Sequence, residues 1–275
     1  MTSITKSAAK PLTRMAFEDF RDGFRNWQLW QRLALLDVKR RYRRTTLGPF
    51  WSAVSLGISI ALMGVVGGGL LKRDMSVYLP FLASGMLVWL MISSTINESA
   101  ILFTSKAHII RQIRFDYSIL AYSLVWRNFI VFLHNASIYV LIVLLFAPKM
   151  LLAPAVLLIV PGLIFVMATG AWVALLVGAV CVRFRDVRHL LTSVMQILMF
   201  VTPLFWPEDL LEGTRRFVFV ELNPLYHFIN IVRAPLLGKV PAFSSYVVVG
   251  VVTVIGWALT YAFFSRFRRR IPFWS

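Results

Sequence analysis

The sequence has little from which a catalytic or metal centre could be built. Its one cysteine, Cys181, excludes an intrachain disulfide and leaves no cysteine pair for a metal ion. The motifs G-x-x-x-x-G-K-[ST] and H-E-x-x-H are absent, so the chain lacks a phosphate-binding loop and a zinc-binding helix of those types. We therefore expect no catalytic site, cofactor or metal in this chain. The energy for any work that it does must come from a partner.

Charge is also scarce. Only 15% of the residues are charged, 59% are hydrophobic and the mean hydropathy is +0.74. A soluble domain is about half apolar and about a quarter charged. The net charge of +17 does not indicate a nucleic-acid surface, because the basic residues are confined to segments between apolar runs. The composition indicates an all-α polytopic membrane protein.

Runs without charge define the membrane spans. A helix needs about 20 apolar residues to cross about 30 Å of hydrocarbon. Six spans are predicted, and they occupy residues 48–71, 75–97, 117–146, 150–182, 189–206 and 240–265.

The distribution of Lys and Arg predicts the orientation. Most of the 29 basic residues lie in segments 1–47, 104–116, 183–188 and 266–275. The positive-inside rule places these segments in the cytoplasm. The N-terminus also lacks the apolar core of a signal peptide. We therefore expect cytoplasmic tails over residues 1–47 and 266–275, with a transmembrane domain over residues 48–265.

The N-terminal tail has the pattern of an amphipathic helix, because its large apolar residues recur at steps of three and four. The apolar face comprises Phe17, Phe20, Phe24, Trp27, Trp30 and Leu33. The polar face comprises Glu18, Asp19, Arg21, Asp22, Arg25 and Gln28. A helix of this kind lies in the headgroup layer, so we predict an N-terminal interfacial helix.

A dense basic cluster precedes the first span. The cluster, which we call the collar, consists of Arg40, Arg41, Arg43 and Arg44, together with Lys39. One interpretation is topology and attraction to anionic lipid, at about 1 kcal/mol per basic residue. The other is a site for a phosphate-containing headgroup, because Arg can bind two phosphate oxygens at once. The sequence leaves both open. The pair Gly48-Pro49 then breaks the helix and lets the chain turn into the bilayer.

Some residues inside the apolar runs are unusual. Ionisable groups there are costly and usually face a protein interior or water, so we expect Glu98 and Arg127 to pair. Small residues at multiples of four in the fourth span predict close helix packing. These are Gly162, Gly170, Ala174 and Gly178.

The connection over residues 203–239 is long for two adjacent spans. It contains two short apolar stretches, 217–220 and 225–232, and neither is long enough to cross a bilayer. We predict two short helices that re-enter from the outer face and are buried in protein or line a cavity. The alternative is an amphipathic surface loop.

Six short segments carry a family resemblance in chain order. They read LALLDVKRRYRRTTLGPFW, YLPFLASGMLVW, INESAILFTSKAHIIRQI, RFRDVRHL, TPLFWP and NPLYHFINIVRAPLLG. Together they resemble the permease subunits of ABC-2 type exporters for bacterial surface polysaccharides, namely the O-antigen, capsule and teichoic acid permeases. The likeness covers nearly all of residues 28–265.

The resemblance implies a homodimer in which each copy contacts a separate ATPase subunit that binds ATP and Mg. A coupling helix would dock on the ATPase through Lys106, His108, Ile109, Arg111, Arg114 and Asp116. An inner gate would contain Arg183, Arg185, Asp186 and Arg188. Pore or mouth aromatics would be Phe50, Trp51, Phe200 and Phe205, although each could equally belong to a lipid-facing belt. Without the resemblance, residues 104–116 also read as an ordinary basic inside loop.

The expected function is ATP-driven export of a lipid-linked polysaccharide across the bacterial inner membrane. The cargo would be undecaprenyl-diphosphate-linked, and the collar would attract its headgroup. An ABC-2 permease for a drug or another small amphiphile is one alternative. An ion-driven flippase for lipid-linked sugars is another, which the lack of a visible repeat and the few deep carboxylates disfavour.

Overall fold

The computed structural model describes residues 12–112 and 115–274, and every regular element in that part of the chain is helical. The α-helices are α1 (Leu12–Arg25), α2 (Trp27–Arg41), α3 (Phe50–Leu71), α4 (Met75–Ser99), α5 (Leu102–Ser105), α6 (Ala107–Gln112), α7 (Ser118–Phe146), α8 (Ile159–Arg183), α9 (Val187–Val201), α10 (Gly213–Arg216), α11 (Pro224–Leu236), α12 (Phe243–Phe267) and α13 (Ile271–Trp274). Short 3-10 turns occupy Pro148–Leu152, Pro154–Leu158, Glu208–Leu210 and Arg268–Arg270, and a π-turn occupies Phe217–Glu221.

Five of the described helices are long and apolar enough to cross a membrane: α3, α4, α7, α12 and α8 with the turn before it. The expectation of an all-α, multi-pass membrane protein is confirmed. The sixth predicted span, residues 189–206, is different. It contains α9, whose 15 residues extend about 22 Å at about 1.5 Å per residue, less than the hydrocarbon thickness. The helix ends at Val201. The next residue, Thr202, has an extended backbone (ψ 140°), because Pro203 disfavours helix at the residue before it.

Helix α4 lies at the centre of the bundle. It packs against α3, α7, α8, α9 and α11. Its residues Leu82, Leu87 and Val88 are almost completely buried in the main apolar core. A second core joins α5, α8 and α12 to the N-terminal and C-terminal segments around Phe103 and Phe264. The described parts of both tails are therefore packed onto the bundle.

The prediction of close packing along α8 is confirmed. A Cβ atom on Gly162 would lie 2.5 Å from the Ile231 carbonyl oxygen of α11. A Cβ atom on Gly178 would lie 3.2 Å from the Ser99 carbonyl oxygen of α4. Since even one methyl group would meet backbone atoms at Gly162, the small residues there set the distance between the helices.

The N-terminal tail corrects two predictions. Its described part, residues 12–47, forms two helices, because the chain breaks at Asn26 between α1 and α2. Asp19, expected on the polar face, is only 1% exposed, and it lies in the contact between α1 and the start of α7. Part of the predicted apolar face points away from the protein, since Phe17, Phe24 and Trp27 are each more than half exposed. An interfacial position for these helices stays a prediction.

The predicted break before the first span is confirmed. Gly48 adopts a left-handed backbone conformation (φ +57°), and α3 begins at Phe50 directly after Pro49. In the connection after α9, the π-turn and α11 coincide with the two apolar stretches of the sequence. Helix α11 packs against α4, α8 and α12, with most of its side chains buried.

Candidate functional site

The arginines of the collar lie in two different elements of the fold. Arg40 and Arg41 lie in the last turn of α2, while Arg43 and Arg44 lie in the turn that follows. Basic residues at a helix C-terminus interact favourably with the helix dipole. The guanidinium of Arg41 forms an ion pair with Glu98 at the end of α4, with 2.6 Å between Nη1 and Oε1. Arg40, Arg43 and Arg44 are exposed and pair with no acidic group in residues 12–112 and 115–274.

The ion pair expected between Glu98 and Arg127 is confirmed, and it belongs to a larger network. Glu98 binds both Arg41 and Arg127. Arg127 also approaches Asp37 of α2, with 3.7 Å between Nη1 and Oδ2. Asp37 in turn binds Lys106, with 3.3 Å between Oδ1 and Nζ. The five charges therefore alternate in sign, in the order Arg41, Glu98, Arg127, Asp37 and Lys106, which we call the charge network.

The charge network borders a cavity of about 350 Å³ between α2, α7 and the segment around α5. Four of its members line this cavity, together with apolar side chains. The Arg127 Nε atom is buried and has no hydrogen-bond partner among the described residues. Sequence reasoning paired Glu98 and Arg127 because they interrupt apolar runs, and it named Arg41 and Lys106 for other roles. It missed Asp37, whose only signal was a lone acidic residue among basic ones.

The predicted coupling helix corresponds to α6 and its flanks. Lys106 lies just before α6 and belongs to the charge network. His108 and Arg111 are exposed, Ile109 is partly exposed and Ile110 is buried, so α6 presents polar groups on one side. Arg114, named with them, lies outside the described residues.

Asp116 lies at the other end of this segment and is linked to both tails. Arg268 of the C-terminal segment is 3.8 Å from it, and the same guanidinium binds Asp19 at 2.6 Å. Asp19 also accepts hydrogen bonds from the backbone N–H groups of Tyr117 and Ser118 at the start of α7. Burial, then the charge of Asp19, raise the pKa of Asp116 to about 6, although Arg268 opposes this shift.

The residues of the predicted inner gate lie between α8 and α9. The Arg183 guanidinium is 5.3 Å from the Phe184 ring centre and 5.9 Å from that of Trp274. Arg185, Asp186 and Arg188 are exposed. A cavity of about 450 Å³ separates this turn from α6, and Arg111, Arg185, Arg188 and His189 are among its lining residues. The gate and coupling segments are therefore neighbours, with basic groups facing the space between them.

The nominated aromatics form two separate pairs. Phe50 and Trp51 begin α3 and are each about half exposed. Phe200 and Phe205 follow at the end of α9, with ring centres 5.8 Å apart. The Phe205 carbonyl accepts a hydrogen bond from Tyr78, whose ring contacts Gly67 near the other end of α3. The two pairs thus lie toward opposite ends of the bundle.

The turn after α9 is fixed by polar groups that sequence reasoning did not single out. Arg233 of α11 is 4% exposed and donates to the Pro203 carbonyl at 2.6 Å. Its guanidinium also lies 4.5 Å from the Phe81 ring centre. The Asn223 side chain donates to Thr202 at 3.0 Å. The signal available was an Arg directly after the apolar stretch 225–232. Its partner is a backbone carbonyl, which leaves no mark in a sequence.

Comparison with known proteins agrees with this arrangement. Residues 28–237 match the family described as ABC-2 type transporter. The chain is 22% identical over 194 residues to the O-antigen export system permease protein RfbA of Myxococcus xanthus, covering 69% of this chain and 72% of that protein. It is 24% identical over 193 residues to the protein of the same name in Klebsiella pneumoniae, with the same coverage of 69% and 72%. The family resemblance is confirmed, and the chain belongs to the ABC-2 type transporter family.

Proposed function

We propose that this chain is the membrane subunit of an ATP-driven exporter for a lipid-linked polysaccharide. Two copies form the passage in the bacterial inner membrane, and each docks on a separate ATPase subunit that binds ATP and Mg. The chain itself holds no cofactor, and both termini are cytoplasmic. The names of the two relatives, both permeases of O-antigen export systems, support a polysaccharide cargo over a drug or another small amphiphile.

A polar stripe on α9 is the observation that carries this proposal. His189, Ser193 and Gln196 follow one another at steps of four and three, so they share one face of the helix. All three are exposed, as is Phe200 four residues further on. Exposed polar groups at membrane depth are costly against lipid and favour water or protein. The stripe is therefore suited to a water-filled passage.

Helix α3 has a matching stripe. Trp51, Ser55 and Ser59 follow at steps of four and are exposed. Each stripe carries one of the nominated aromatics, Trp51 on α3 and Phe200 on α9. Flat rings of this kind let the C–H faces of sugars slide past without tight binding. Since the described part of one chain leaves both stripes uncovered, a second copy would complete the wall.

The short helices complete the proposed membrane domain. Helix α9 and the turn after it would form the sixth crossing within the dimer. Helix α11 would re-enter from the outer face, and its burial against α4, α8 and α12 supports this, because re-entrant backbone must be covered by protein. The two α-helices of the N-terminal tail would lie in the inner headgroup layer, with Phe17, Phe24 and Trp27 toward lipid.

At the cytoplasmic side, the collar, the docking segment and the inner-gate residues each have a proposed role. Arg40, Arg43 and Arg44 of the collar attract the diphosphate of an undecaprenyl-linked cargo. The segment with Lys106, His108, Ile109, Arg111, Arg114 and Asp116 docks on the ATPase, and Arg183, Arg185, Asp186 and Arg188 border the inner mouth. ATP binding then draws the two ATPase subunits together and opens the passage.

Cysteine accessibility tests the passage directly. In a Cys181→Ser background, Ser193→Cys and Gln196→Cys lie on the polar stripe of α9. Val194→Cys and Leu198→Cys lie a step of four apart on its apolar side, away from the stripe, and are matched controls. In the reconstituted complex with its ATPase, a water-soluble thiol reagent should modify the first pair much faster. Equal rates for both pairs would contradict a water-filled passage along α9.

ATPase stimulation tests the cargo. The co-purified complex of permease and ATPase in proteoliposomes should hydrolyse ATP faster with purified lipid-linked O-antigen than with undecaprenyl phosphate alone. A response to drugs or detergents but not to the lipid-linked glycan would favour the small-amphiphile alternative. Full transport activity without the ATPase would favour an ion-driven flippase.

A further inference from the structure

The charge network connects two parts of the molecule that have separate proposed roles. Arg41 is a collar residue at one end, and Lys106 precedes α6, the proposed docking segment, at the other. We propose that the charge network transmits occupancy of the collar to the docking segment, so that capture of a diphosphate headgroup shifts Lys106 and α6. The inference rests on the proposed function of the collar.

The alternating charges give the transmission a direction. Glu98 is shared by Arg41 and Arg127, and Asp37 is shared by Arg127 and Lys106. A diphosphate bound at Arg40, Arg43 and Arg44 also attracts Arg41, so it competes with Glu98 for that guanidinium. Glu98 then holds Arg127 alone and draws it away from Asp37. Asp37, relieved of that partner, binds Lys106 more closely and pulls the start of α6 toward α2.

Two features allow the network a second arrangement, which coupling between sites requires. The contact between Arg127 and Asp37 is already loose at 3.7 Å, whereas Arg41 and Glu98 are 2.6 Å apart. The Arg127 Nε atom lacks a hydrogen-bond partner among the described residues, and its side chain borders a 350 Å³ cavity with room for movement. The present arrangement thus leaves the buried N–H donor of Arg127 Nε unsatisfied, and a shift of the guanidinium could bring this donor within reach of an acceptor.

The charge network also connects the helices α2, α4 and α7. Asp37 and Arg41 are four residues apart on α2 and therefore on one face. Glu98 lies at the end of α4, and Arg127 lies in the third turn of α7. A change in the collar would consequently act on two long helices as well as on Lys106.

A fluorescent label on α6 tests the proposal without the ATPase. The full chain with Cys181→Ser and His108→Cys is labelled, placed in nanodiscs and titrated with undecaprenyl diphosphate, while binding is measured separately with radiolabelled lipid. We expect the label to respond over the same concentrations as binding. If the lipid does not bind at all, the proposed role of the collar fails. Binding without any response of the label would overturn the transmission and leave the collar intact.

Variants of the two shared carboxylates identify the route. Asp37→Asn and Glu98→Gln each remove one link of the network, and both should bind the lipid while most of the label response is lost. Asp37→Glu keeps the charge and should keep the response. The exposed Glu212→Gln is the control for loss of one negative charge. A full response in both Asp37→Asn and Glu98→Gln would mean that the network only stabilises the fold and transmits nothing. If one variant fails to fold, the response of the other variant decides.

Discussion

The two ends of the helix bundle are held together by different chemistry. At the collar end, partly or fully buried carboxylates bind guanidinium groups, as in the charge network and in the pair between Asp19 and Arg268. At the opposite end, side chains of Tyr78 and Arg233 donate to backbone carbonyls of the turn after α9. The ion pair of Arg73 with Asp209 at that end is exposed.

This difference in chemistry predicts that side chains at the collar end can change partners, whereas those at the opposite end keep theirs. A carboxylate shared by two cations can exchange partners when a competing ion or a proton arrives. A carbonyl held by a buried donor resists losing that partner, because leaving a buried polar group unpaired costs about 1–3 kcal/mol. We therefore expect the collar end to respond to ligands and pH, while the turn with Pro203 and Phe205 keeps its shape.

The largest effect should come from Asp19→Ala at the collar end. The substitution leaves Arg268 without its closest partner and leaves two N–H groups at the start of α7 unsatisfied. Removing one partner of a buried ion pair costs about 3–5 kcal/mol. Equilibrium unfolding in mixed micelles should show a loss near the lower value, since Arg268 is partly exposed. The control Glu212→Ala, at an exposed residue, should change the free energy of unfolding little. A loss below about 1 kcal/mol for Asp19→Ala would show that the pair with Arg268 does not stabilise the collar end.

A smaller loss is expected from Gly162→Ala at the opposite end. The new methyl group meets the Ile231 carbonyl at 2.5 Å, and a backbone atom cannot swing aside. Overpacking of this kind costs about 1–3 kcal/mol. The matched control is Gly69→Ala in α3, where a Cβ would meet no described atom within 4 Å. Because Ala is the better helix former, that control should be neutral or slightly stabilising in the same unfolding measurement.

The third effect concerns one neutral hydrogen bond. Tyr139 is buried and its hydroxyl donates to the Leu236 carbonyl, so Tyr139→Phe should lose about 1 kcal/mol. Tyr246 is the contrasting case, because its buried hydroxyl has no partner among the described residues. Tyr246→Phe should therefore leave stability unchanged or raise it. If both variants lost the same amount, the carbonyl bond would not explain the rigidity of this end.

Sequence reasoning captured what composition and spacing express. Glu98 and Arg127 were paired because both interrupt apolar runs, and the small residues of α8 were placed at helix contacts by their period. Asp19 was placed on the polar face, and its burial was missed because its partner Arg268 lies 249 positions away and its neighbours in the tail are also charged. The span predicted over residues 189–206 extends beyond its helix, because the apolar run continues past Val201, where α9 ends.

A further effect at the collar end is the pH dependence of Asp116, which sharpens the contrast between the ends. Burial, followed by the charges of Asp19 and Asp22, raises its pKa to about 6 against the opposing charge of Arg268, whereas an unfolded Asp titrates near 3.9. The folded chain therefore binds more protons than the unfolded one between these two values. Its stability from this group is fully present below about pH 4 and is lost as the pH rises through about 6.

Replacing the carboxyl isolates this contribution. Asp116→Asn cannot ionise, so the decline in unfolding midpoint between about pH 4 and about pH 6 should be smaller in the variant than in the wild type. Above pH 6 the variant should be the more stable of the two, because it lacks the unfavourable charge beside Asp19. Asp209→Asn, at the exposed pair of the opposite end, should leave the wild-type profile nearly unchanged. Identical profiles for wild type and Asp116→Asn would show that the acid groups of the collar end do not sense pH through this residue.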